Sequence, residues 1–226
     1  MSGPRASSSV SVFLAESLVR VVVGLVTRLF YPLHVRGLEN LPRRGGALLI
    51  SNHVSFVDWL LLTAAAKRPV RFLIGKEFYE PPWLKPFVRV ARVIPIPSGI
   101  RPREVALALG RCSNAIRNGD VVCVFAEGGI TRSGKLMPFQ RGLERIMRCV
   151  DAPIVPVALD GVWGSIFSFA GGTFFWKWPQ QLRRPVTVNF GQLLPPTATA
   201  EEVRAAVEKL LTADYAVERG GKRIGG

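Results

Sequence analysis

A histidine and a carboxylate lie five residues apart in the segment SNHVSFVD at 51–58, directly after an apolar run at 47–50. A histidine can accept a proton near neutral pH. A carboxylate on its other ring nitrogen would fix the tautomer and stabilise the imidazolium, as the acid does in a His–Asp dyad. The alternative is that Asp58 only caps a helix and His53 only fills a loop. Spacing alone leaves both interpretations open.

A second loop, rich in glycine, follows the apolar run at 121–125 and reads AEGGITRSG at 126–134. Glycines let the backbone approach a ligand closely, and successive backbone N–H groups can cradle an anion. Arg132 could clamp a phosphate bidentately. Glycine-rich turns with an arginine are common, so this loop alone indicates little. Because ligands bind at the carboxyl ends of strands in α/β sheets, two such loops together favour one shared site.

Beyond Pro32, short apolar runs alternate with helical patterns, which predicts an α/β fold with a largely parallel central sheet flanked by helices. The runs that predict strands are 47–50, 70–74, 93–96, 121–125, 154–158 and 186–190. Apolar residues recur at helical spacing over 105–116, where Asn118-Gly119 would end the helix, and again over 139–150. Thr199 and Glu202 form a capping box that predicts the start of the last helix.

The N-terminal 31 residues combine a short polar start with a helical pattern in which polar residues form only a narrow stripe. Apolar residues between 14 and 30 occupy the rest of the helical wheel. This pattern predicts an amphipathic helix in the membrane interface, and a helix buried in a larger assembly is the alternative. A membrane span or a signal peptide is not expected, because Glu16 and Arg20 interrupt the apolar region.

The composition indicates one folded domain, since 48% of the 226 residues are hydrophobic and 20% are charged. The formal charge of +14 suits a partner covered in phosphate, either nucleic acid or an anionic bilayer. The expected division is a disordered start plus interfacial helix at 1–31, a catalytic domain at 32–214 and a flexible basic tail at 215–226.

The three cysteines, Cys112, Cys123 and Cys149, have no CxxC spacing, and each falls in a predicted helix or strand. We therefore expect reduced, buried thiols, which favours the cytosolic side. The chain has two histidines, His34 and His53, and no cluster of metal-ligating residues, so a metal site is not expected.

Motifs in the chain resemble, in order and separation, the signatures of the glycerolipid acyltransferase family, whose members acylate glycerol 3-phosphate and lysophosphatidic acid. Asn52-His53-x4-Asp58 resembles the first signature, NHxxxxD. The runs FAEG at 125–128 and TRS at 131–133 are similar to the third, and IVPVA at 154–158 is similar to the fourth. The similarity extends from around residue 33 to around residue 192.

The resemblance implies a role for each matching residue. His53 would be the general base and Asp58 its partner. Binding of the acceptor's phosphate would fall to Glu127, Gly128, Thr131, Arg132, Lys76 and Arg101. The chain departs from the family pattern in three ways: Ala126 replaces the usual proline, Gly129-Ile130 lengthen the loop, and the second signature at 94–99 has no arginine before Arg101. The last departure makes Arg101 and Arg103 alternative candidates for the phosphate ligand of that signature.

The implied reaction is transfer of a fatty acyl group from acyl-CoA or acyl carrier protein (acyl-ACP) to the free hydroxyl of a lysophospholipid such as 1-acyl-sn-glycerol 3-phosphate. No cofactor is expected, and the expected setting is an anionic membrane surface on the cytoplasmic face of the bacterial inner membrane. The form EGxITRxG resembles the branch fused to acyl-ACP synthetases or lysophospholipid transporters. The alternatives are reacylation of 2-acylglycerophosphoethanolamine-type lipids and a non-catalytic lipid-binding module. A nucleic-acid binder is disfavoured, because no recognised nucleic-acid motif is present.

Overall fold

A computed structural model describes residues 18, 21, 22, 24, 25, 27, 29–76, 92–97, 99, 101–172 and 183–220, with side chains of the last range through 211. Within these residues the strands are β1 (Leu33–Arg36), β2 (Ala47–Ser51), β3 (Val70–Gly75), β4 (Ile94–Ile96), β5 (Val121–Phe125), β6 (Ile154–Asp160) and β7 (Val186–Phe190). The helices are α1 (Asp58–Ala65), α2 (Pro102–Arg117), α3 (Gly142–Met147) and α4 (Ala200–Gly220), with a short 3-10 helix at Leu38–Asn40.

The strands form one sheet in the order β1-β7-β6-β2-β5-β3-β4. Every neighbouring pair is parallel except β6 and β7, so the predicted largely parallel α/β sheet is confirmed. All six predicted strands are present. β1 escaped the sequence analysis because it is a short edge strand with three exposed residues, and it therefore lacks the apolar run of a central strand.

Side chains alternate between the two faces of the sheet, so each face has its own core. On one face Leu48 and Ile50 of β2 join α2, α3 and α4 in a single cluster. On the other face Ala47 and Leu49 pack with α1. Tyr31, just before β1, also packs on this second face.

The loops that follow β2 and β5 lie at the same edge of the sheet. Ser51, the last residue of β2, pairs with Phe125 at the end of β5 and with Val157 of β6. Because β7 runs antiparallel to β6, the start of β7 lies at this edge as well. Leu33 pairs with Val186 there, so the N-terminal segment joins the sheet at the edge where these two loops lie.

The helix boundaries confirm some predictions and correct others. α2 ends at Arg117, directly before Asn118-Gly119, as predicted. The capping box of α4 is present, since the backbone N–H of Thr199 donates to Glu202 and that of Glu202 donates to Thr199 Oγ1. The predicted helix at 139–150 was too long: only Gly142–Met147 is helical, and the buried Phe139 and Val150 pack from the flanking loops.

Two of the three cysteines are buried, as predicted, but Cys149 is exposed. The prediction failed for Cys149 because α3 ends at Met147 and the chain turns outward before the next strand. Burial raises the pKa of Cys112 to about 12. The same effect raises the pKa of the fully buried Cys123.

Part of the predicted N-terminal helix lies outside the described residues. The described positions between 18 and 30 are helical, and their large apolar side chains point to solvent: Leu18, Val21, Val22, Leu25, Leu29 and Phe30. Thr27, in the predicted polar stripe, is instead buried. In the part of the chain that the structure describes, no helix is long and apolar enough to cross a membrane. α4 continues past residue 214, the predicted end of the domain, and residues 221–226 lie outside the description.

Candidate active site

The side chain of Asn52 fixes the loop after β2 to the sheet, because it forms two hydrogen bonds with the backbone of β6. Its amide Nδ2 donates to the carbonyl of Leu159 at 2.9 Å, and its Oδ1 accepts the Leu159 N–H at 2.8 Å. Asn52 is buried, so these two hydrogen bonds satisfy an amide that would otherwise be costly to remove from water. They set the position at which His53 leaves the strand.

His53 and Asp58 form a direct side-chain pair. Nδ1 of His53 lies 2.9 Å from Oδ2 of Asp58. The carboxylate is fully buried, whereas the His53 side chain keeps 18% of its surface exposed. An Nδ1–H that donates to the carboxylate leaves Nε2 unprotonated and able to accept a proton. The geometry therefore supports the interpretation of this segment as a dyad over that of a simple cap and loop filler.

Asp58 also organises the loop that carries its partner. Its Oδ2 accepts the backbone N–H groups of Val54 and Ser55 at 2.7 and 2.9 Å. Asp58 is the first residue of α1, where the positive end of the helix dipole favours a carboxylate. The other oxygen, Oδ1, has no hydrogen-bond partner among the described residues. One carboxylate oxygen thus holds both the imidazole and the turn that presents it.

Glu127 connects the two loops and does not extend into open space. Its Oε1 accepts the His53 backbone N–H at 2.7 Å, and its Oε2 accepts the Met137 N–H at 2.9 Å. Burial raises the pKa of the Glu127 carboxyl, while these two backbone donors act in the opposite direction. Both oxygens accept backbone N–H groups, so Glu127 holds the two loops together, and the phosphate-binding role that the resemblance implied stays a prediction.

The glycine-rich loop is attached to His53 at a second point. The Thr131 N–H donates to the carbonyl of His53 at 2.8 Å, and the buried Thr131 hydroxyl donates to the Lys135 carbonyl at 2.9 Å. Gly128 adopts φ 78, in the left-handed region that favours glycine, where the chain turns out of β5. Thr131 and Gly128 therefore shape the loop around the histidine.

The imidazole of His53 stacks on the ring of Phe125, with centroids 4.1 Å apart and planes inclined by 14°. Phe125 is the last residue of β5, which lies beside β2. The sequence analysis missed this contact. The available signal was the aromatic residue at the end of β5. It becomes a signal only when β5 is known to lie beside β2, the strand that precedes His53. Phe125 limits rotation of the ring, so Asp58 and Phe125 together fix the imidazole.

The basic residues predicted to bind phosphate are more exposed and lie in two places. Arg132, on the glycine-rich loop, is exposed, and its guanidinium lies 5.5 Å from the centroid of the Phe169 ring. Lys76 and Arg101 both approach Glu104, at 3.8 and 3.3 Å. Arg132 follows the residue that is bonded to His53, whereas Lys76 and Arg101 lie beyond β3 and β4, on the other side of β5.

The Acyltransferase family profile matches residues 32–160, which include the dyad, the glycine-rich loop and six of the strands. This chain belongs to the Acyltransferase family. Its curated relatives include a chloroplastic 1-acyl-sn-glycerol-3-phosphate acyltransferase of Brassica napus, 30% identical over 58% of this chain and 38% of that protein. Another is the 1-acyl-sn-glycerol-3-phosphate acyltransferase of Bacillus subtilis, 25% identical over 54% of this chain and 60% of that protein.

Among solved structures, the fold of this Acyltransferase family member matches the crystal structure of the 1-acyl-sn-glycerophosphate (LPA) acyltransferase PlsC from Thermotoga maritima. The TM-score is 0.68 at 21% identity, covering 93% of this chain and 83% of the other. The matched region corresponds to 38% of the Brassica napus protein and 60% of the Bacillus subtilis protein. The likeness to a fusion branch stays a prediction.

The structure brings most of the predicted site residues of this Acyltransferase family member to one edge of the sheet. His53, Asp58, Glu127 and Thr131 form one hydrogen-bonded group. In the described parts of the chain, no group of three histidine, cysteine, aspartate or glutamate residues lies close enough to hold a metal ion. The arrangement can hold an imidazole in one tautomer beside exposed cationic groups.

Proposed function

We propose that this Acyltransferase family member transfers a fatty acyl group from a thioester to the free hydroxyl of 1-acyl-sn-glycerol 3-phosphate. The observation that carries the proposal is the 2.9 Å contact between His53 Nδ1 and the buried Asp58 carboxylate at the carboxyl edge of the sheet. Membership of the family and the names of the curated relatives support the acyl transfer and the acceptor. The donor is either acyl-CoA or acyl-ACP.

The reaction needs one base and no covalent intermediate on the protein. Nε2 of His53 takes the proton from the acceptor hydroxyl as the oxygen attacks the thioester carbonyl carbon. Asp58 stabilises the imidazolium that forms, because its carboxylate already accepts the Nδ1 proton. When the tetrahedral intermediate collapses, the carbon–sulfur bond breaks and the imidazolium returns its proton to the leaving sulfur. The products are an ester and a free thiol.

The phosphate of the acceptor is held by cationic side chains around this edge. Arg132 is the first candidate, because Thr131, the residue before it, donates its backbone N–H to the His53 carbonyl. A guanidinium can bind phosphate oxygens through two parallel hydrogen bonds. Lys76 and Arg101 would contribute once the phosphate competes with Glu104 for them.

The enzyme works at a membrane surface, on the cytoplasmic face of the inner membrane in a bacterium. Support comes from the apolar side chains exposed between residues 18 and 30, four of which have more than half of their surface exposed. This segment meets the sheet at the catalytic edge, where the Arg184 N–H donates to the Phe30 carbonyl at 3.0 Å. An amphipathic helix binds the membrane interface through its apolar face, and the positive charge of the chain attracts anionic lipids. An acceptor that resides in the bilayer would then enter the site from the membrane.

The central experiment is a labelled acyl-donor assay on wild-type protein, His53→Ala and His34→Ala. His34 is the matched control, because it is the other histidine of the chain and is exposed on β1. We expect transfer to 1-acyl-sn-glycerol 3-phosphate with the wild type and with His34→Ala, and none above background with His53→Ala. Circular dichroism and sedimentation with anionic liposomes should be unchanged in both variants.

Transfer by His53→Ala at the wild-type rate would overturn the base assignment. Absence of transfer by the wild type to any member of a panel of lysophospholipids and glycerol 3-phosphate, with either donor, would overturn the enzymatic function. A higher kcat/KM for a neutral or zwitterionic lysophospholipid would reject the phosphomonoester acceptor and leave acyl transfer standing.

A further inference from the structure

The outward sides of α2 and α3 carry a band of arginines, which we call the arginine face. Its members are five exposed arginines and one exposed leucine: Arg103, Leu107, Arg111, Arg141, Arg145 and Arg148. In α2, Arg103, Leu107 and Arg111 recur every four residues, so they lie on one side of the helix. This face begins next to the catalytic edge and extends away from it, and the proposed function does not use it.

The two helices lie side by side, and each carries exposed arginines. Leu109 of α2 contacts the position of Gly142 at the start of α3, and the Ser113 hydroxyl donates to the Ile146 carbonyl at 2.7 Å. Both contacts advance by four residues, which means that the helices run parallel and in register. Arg111 and Arg145 therefore lie at similar heights on neighbouring helices.

Asp151 lies beside Arg148 at one end of this face, and the acids within the two helices and their connecting loops are engaged by other groups. Residues 101–148 contain nine basic residues and four acidic ones. Each acid has partners elsewhere: Glu104 with Lys76 and Arg101, Asp120 with Arg71 and Arg92, Glu127 with two backbone N–H groups, and Glu144 with the Ala200 N–H. Neither Arg111 nor Arg145 forms an ion pair with any residue that the structure describes. The face thus presents uncompensated positive charge around Leu107, 64% of which is exposed.

The position of the face argues against a bilayer as its occupant. α2 and α3 cover one side of the sheet, whereas Tyr31, at the end of the N-terminal segment, packs on the opposite side. The exposed apolar residues between 18 and 30 precede β1 at the catalytic edge. A flat membrane that contacts this edge does not reach along the band from Arg103, next to the edge, to Arg148 after the end of α3. An occupant that approaches from the aqueous side fits the geometry.

We propose that the arginine face docks an acidic, helical carrier protein that delivers the fatty acyl group as a thioester. The inference rests on the proposed function and chooses between its two donors. Arginines pair bidentately with carboxylates, and a rim of like charge accelerates encounter with an acidic partner. Leu107 supplies an apolar centre for an amphipathic acidic helix. Because α2 begins at the catalytic edge, a carrier bound over its first turns places its acyl arm beside His53.

The test compares two donors with one double variant, Arg111→Glu with Arg145→Glu. The charge-matched control is Arg43→Glu with Lys67→Glu, two exposed residues that lie before β2 and after α1, at the other edge of the sheet. With palmitoyl-acyl carrier protein as donor, we expect kcat/KM of the test variant to fall about tenfold or more at low salt, because charge reversal slows encounter. With palmitoyl-CoA, and with the control variant on both donors, we expect values within about twofold of wild type, as for surface changes away from a site.

A second measurement follows binding of fluorescently labelled carrier protein by anisotropy, which keeps the test independent of chemistry. Binding should weaken with salt in the wild type and be lost in the test variant. If no donor supports transfer, the proposed function fails, and anisotropy still decides whether the face binds the carrier. The substitutions Arg111→Gln with Arg145→Gln should act in the same direction and serve if charge reversal lowers the melting temperature.

Three results would overturn the docking proposal. The first is an equal change for both donors, and the second is unchanged carrier binding in the test variant. The third is loss of binding to anionic vesicles or to RNA with carrier binding intact, which would assign the face to a lipid surface or a nucleic acid.

Discussion

The dyad loop and the cationic residues share one edge of the sheet, yet they are held in different ways. The Asp58 carboxylate is fully buried and accepts three hydrogen bonds on one oxygen, and the His53 ring is further stacked on Phe125. Lys76 and Arg101 keep half or more of their side chains exposed and share a single partner, Glu104. The proposed base is thus fixed by several neighbours, whereas the cations proposed to bind phosphate are exposed and have one partner.

This difference has a physical reason. A general base accelerates the reaction only if it is oriented before the substrate arrives, so its neighbours must fix it. A phosphate that enters from water or from a membrane surface must exchange its hydration shell for protein donors. Exposed cations on long side chains can make that exchange gradually, and their weak surface ion pairs are easily displaced.

The largest effect is expected for Asp58→Asn, which changes the buried partner of His53. The amide oxygen can still accept the three N–H groups that Asp58 Oδ2 accepts, but a neutral amide no longer stabilises the imidazolium. We expect kcat to fall about 10³–10⁴-fold, the scale known for the equivalent change in a Ser-His-Asp triad, with a nearly unchanged melting temperature. Steady-state kinetics and thermal unfolding measure both. A loss below tenfold would show that the dyad contact does not matter for the reaction.

The next effect concerns Glu127, which we assign to loop positioning. In Glu127→Gln one backbone N–H, of His53 or of Met137, faces an amide NH₂ and loses its acceptor. We expect a loss of about 1–3 kcal/mol in the free energy of unfolding, and a decrease in kcat of up to about a hundredfold from misplacement of His53. Denaturant unfolding and kinetics give the two values. An increase in KM for the acceptor at unchanged stability and kcat would instead return Glu127 to phosphate binding.

A smaller effect, on KM instead of kcat, is expected for Arg132→Ala, which removes an exposed cation. Loss of a charge-assisted contact to phosphate should raise KM for 1-acyl-sn-glycerol 3-phosphate by about tenfold to a hundredfold, with kcat and stability little changed. Arg132→Lys is the control, since it keeps the charge but loses bidentate binding and should give an intermediate KM. Equal KM values in all three proteins would remove Arg132 from the phosphate site.

The smallest effect is expected for Glu104→Gln, which releases Lys76 and Arg101. Both pairs are exposed, so the free energy of unfolding should change by less than about 1 kcal/mol. If these two cations bind the acceptor, KM should fall by a few-fold, because Glu104 no longer competes with the phosphate. When Glu104→Gln is added to Arg132→Ala, KM should fall by the same factor relative to Arg132→Ala alone. An unchanged KM in both backgrounds would place Lys76 and Arg101 outside the site.

The sequence predicted six of the seven described strands, and a pair between His53 and Asp58 was one of its two interpretations, because both are local patterns. Six apolar runs and the five-residue spacing of His53 and Asp58 are visible without knowledge of the fold. It did not reveal β1, whose exposed residues have no apolar signature, or the short extent of α3, where Phe139 and Val150 imitate helical periodicity from loops. Cys149 was misplaced for the same reason, since burial beyond a helix end depends on where the chain turns.

By itself the sequence determined which residue types could react, through the NHxxxxD spacing and the motifs that resemble a family. Only the tertiary structure decided which partners those residues have. Glu127 and Arg132 stand five residues apart in one motif. The Glu127 carboxylate is buried and accepts two backbone N–H groups, whereas the Arg132 side chain is exposed. The reason is that hydrogen-bond partners such as His53 and Met137 come from distant parts of the chain. Their meeting depends on the order of β2 and β5 in the sheet, which no local pattern encodes.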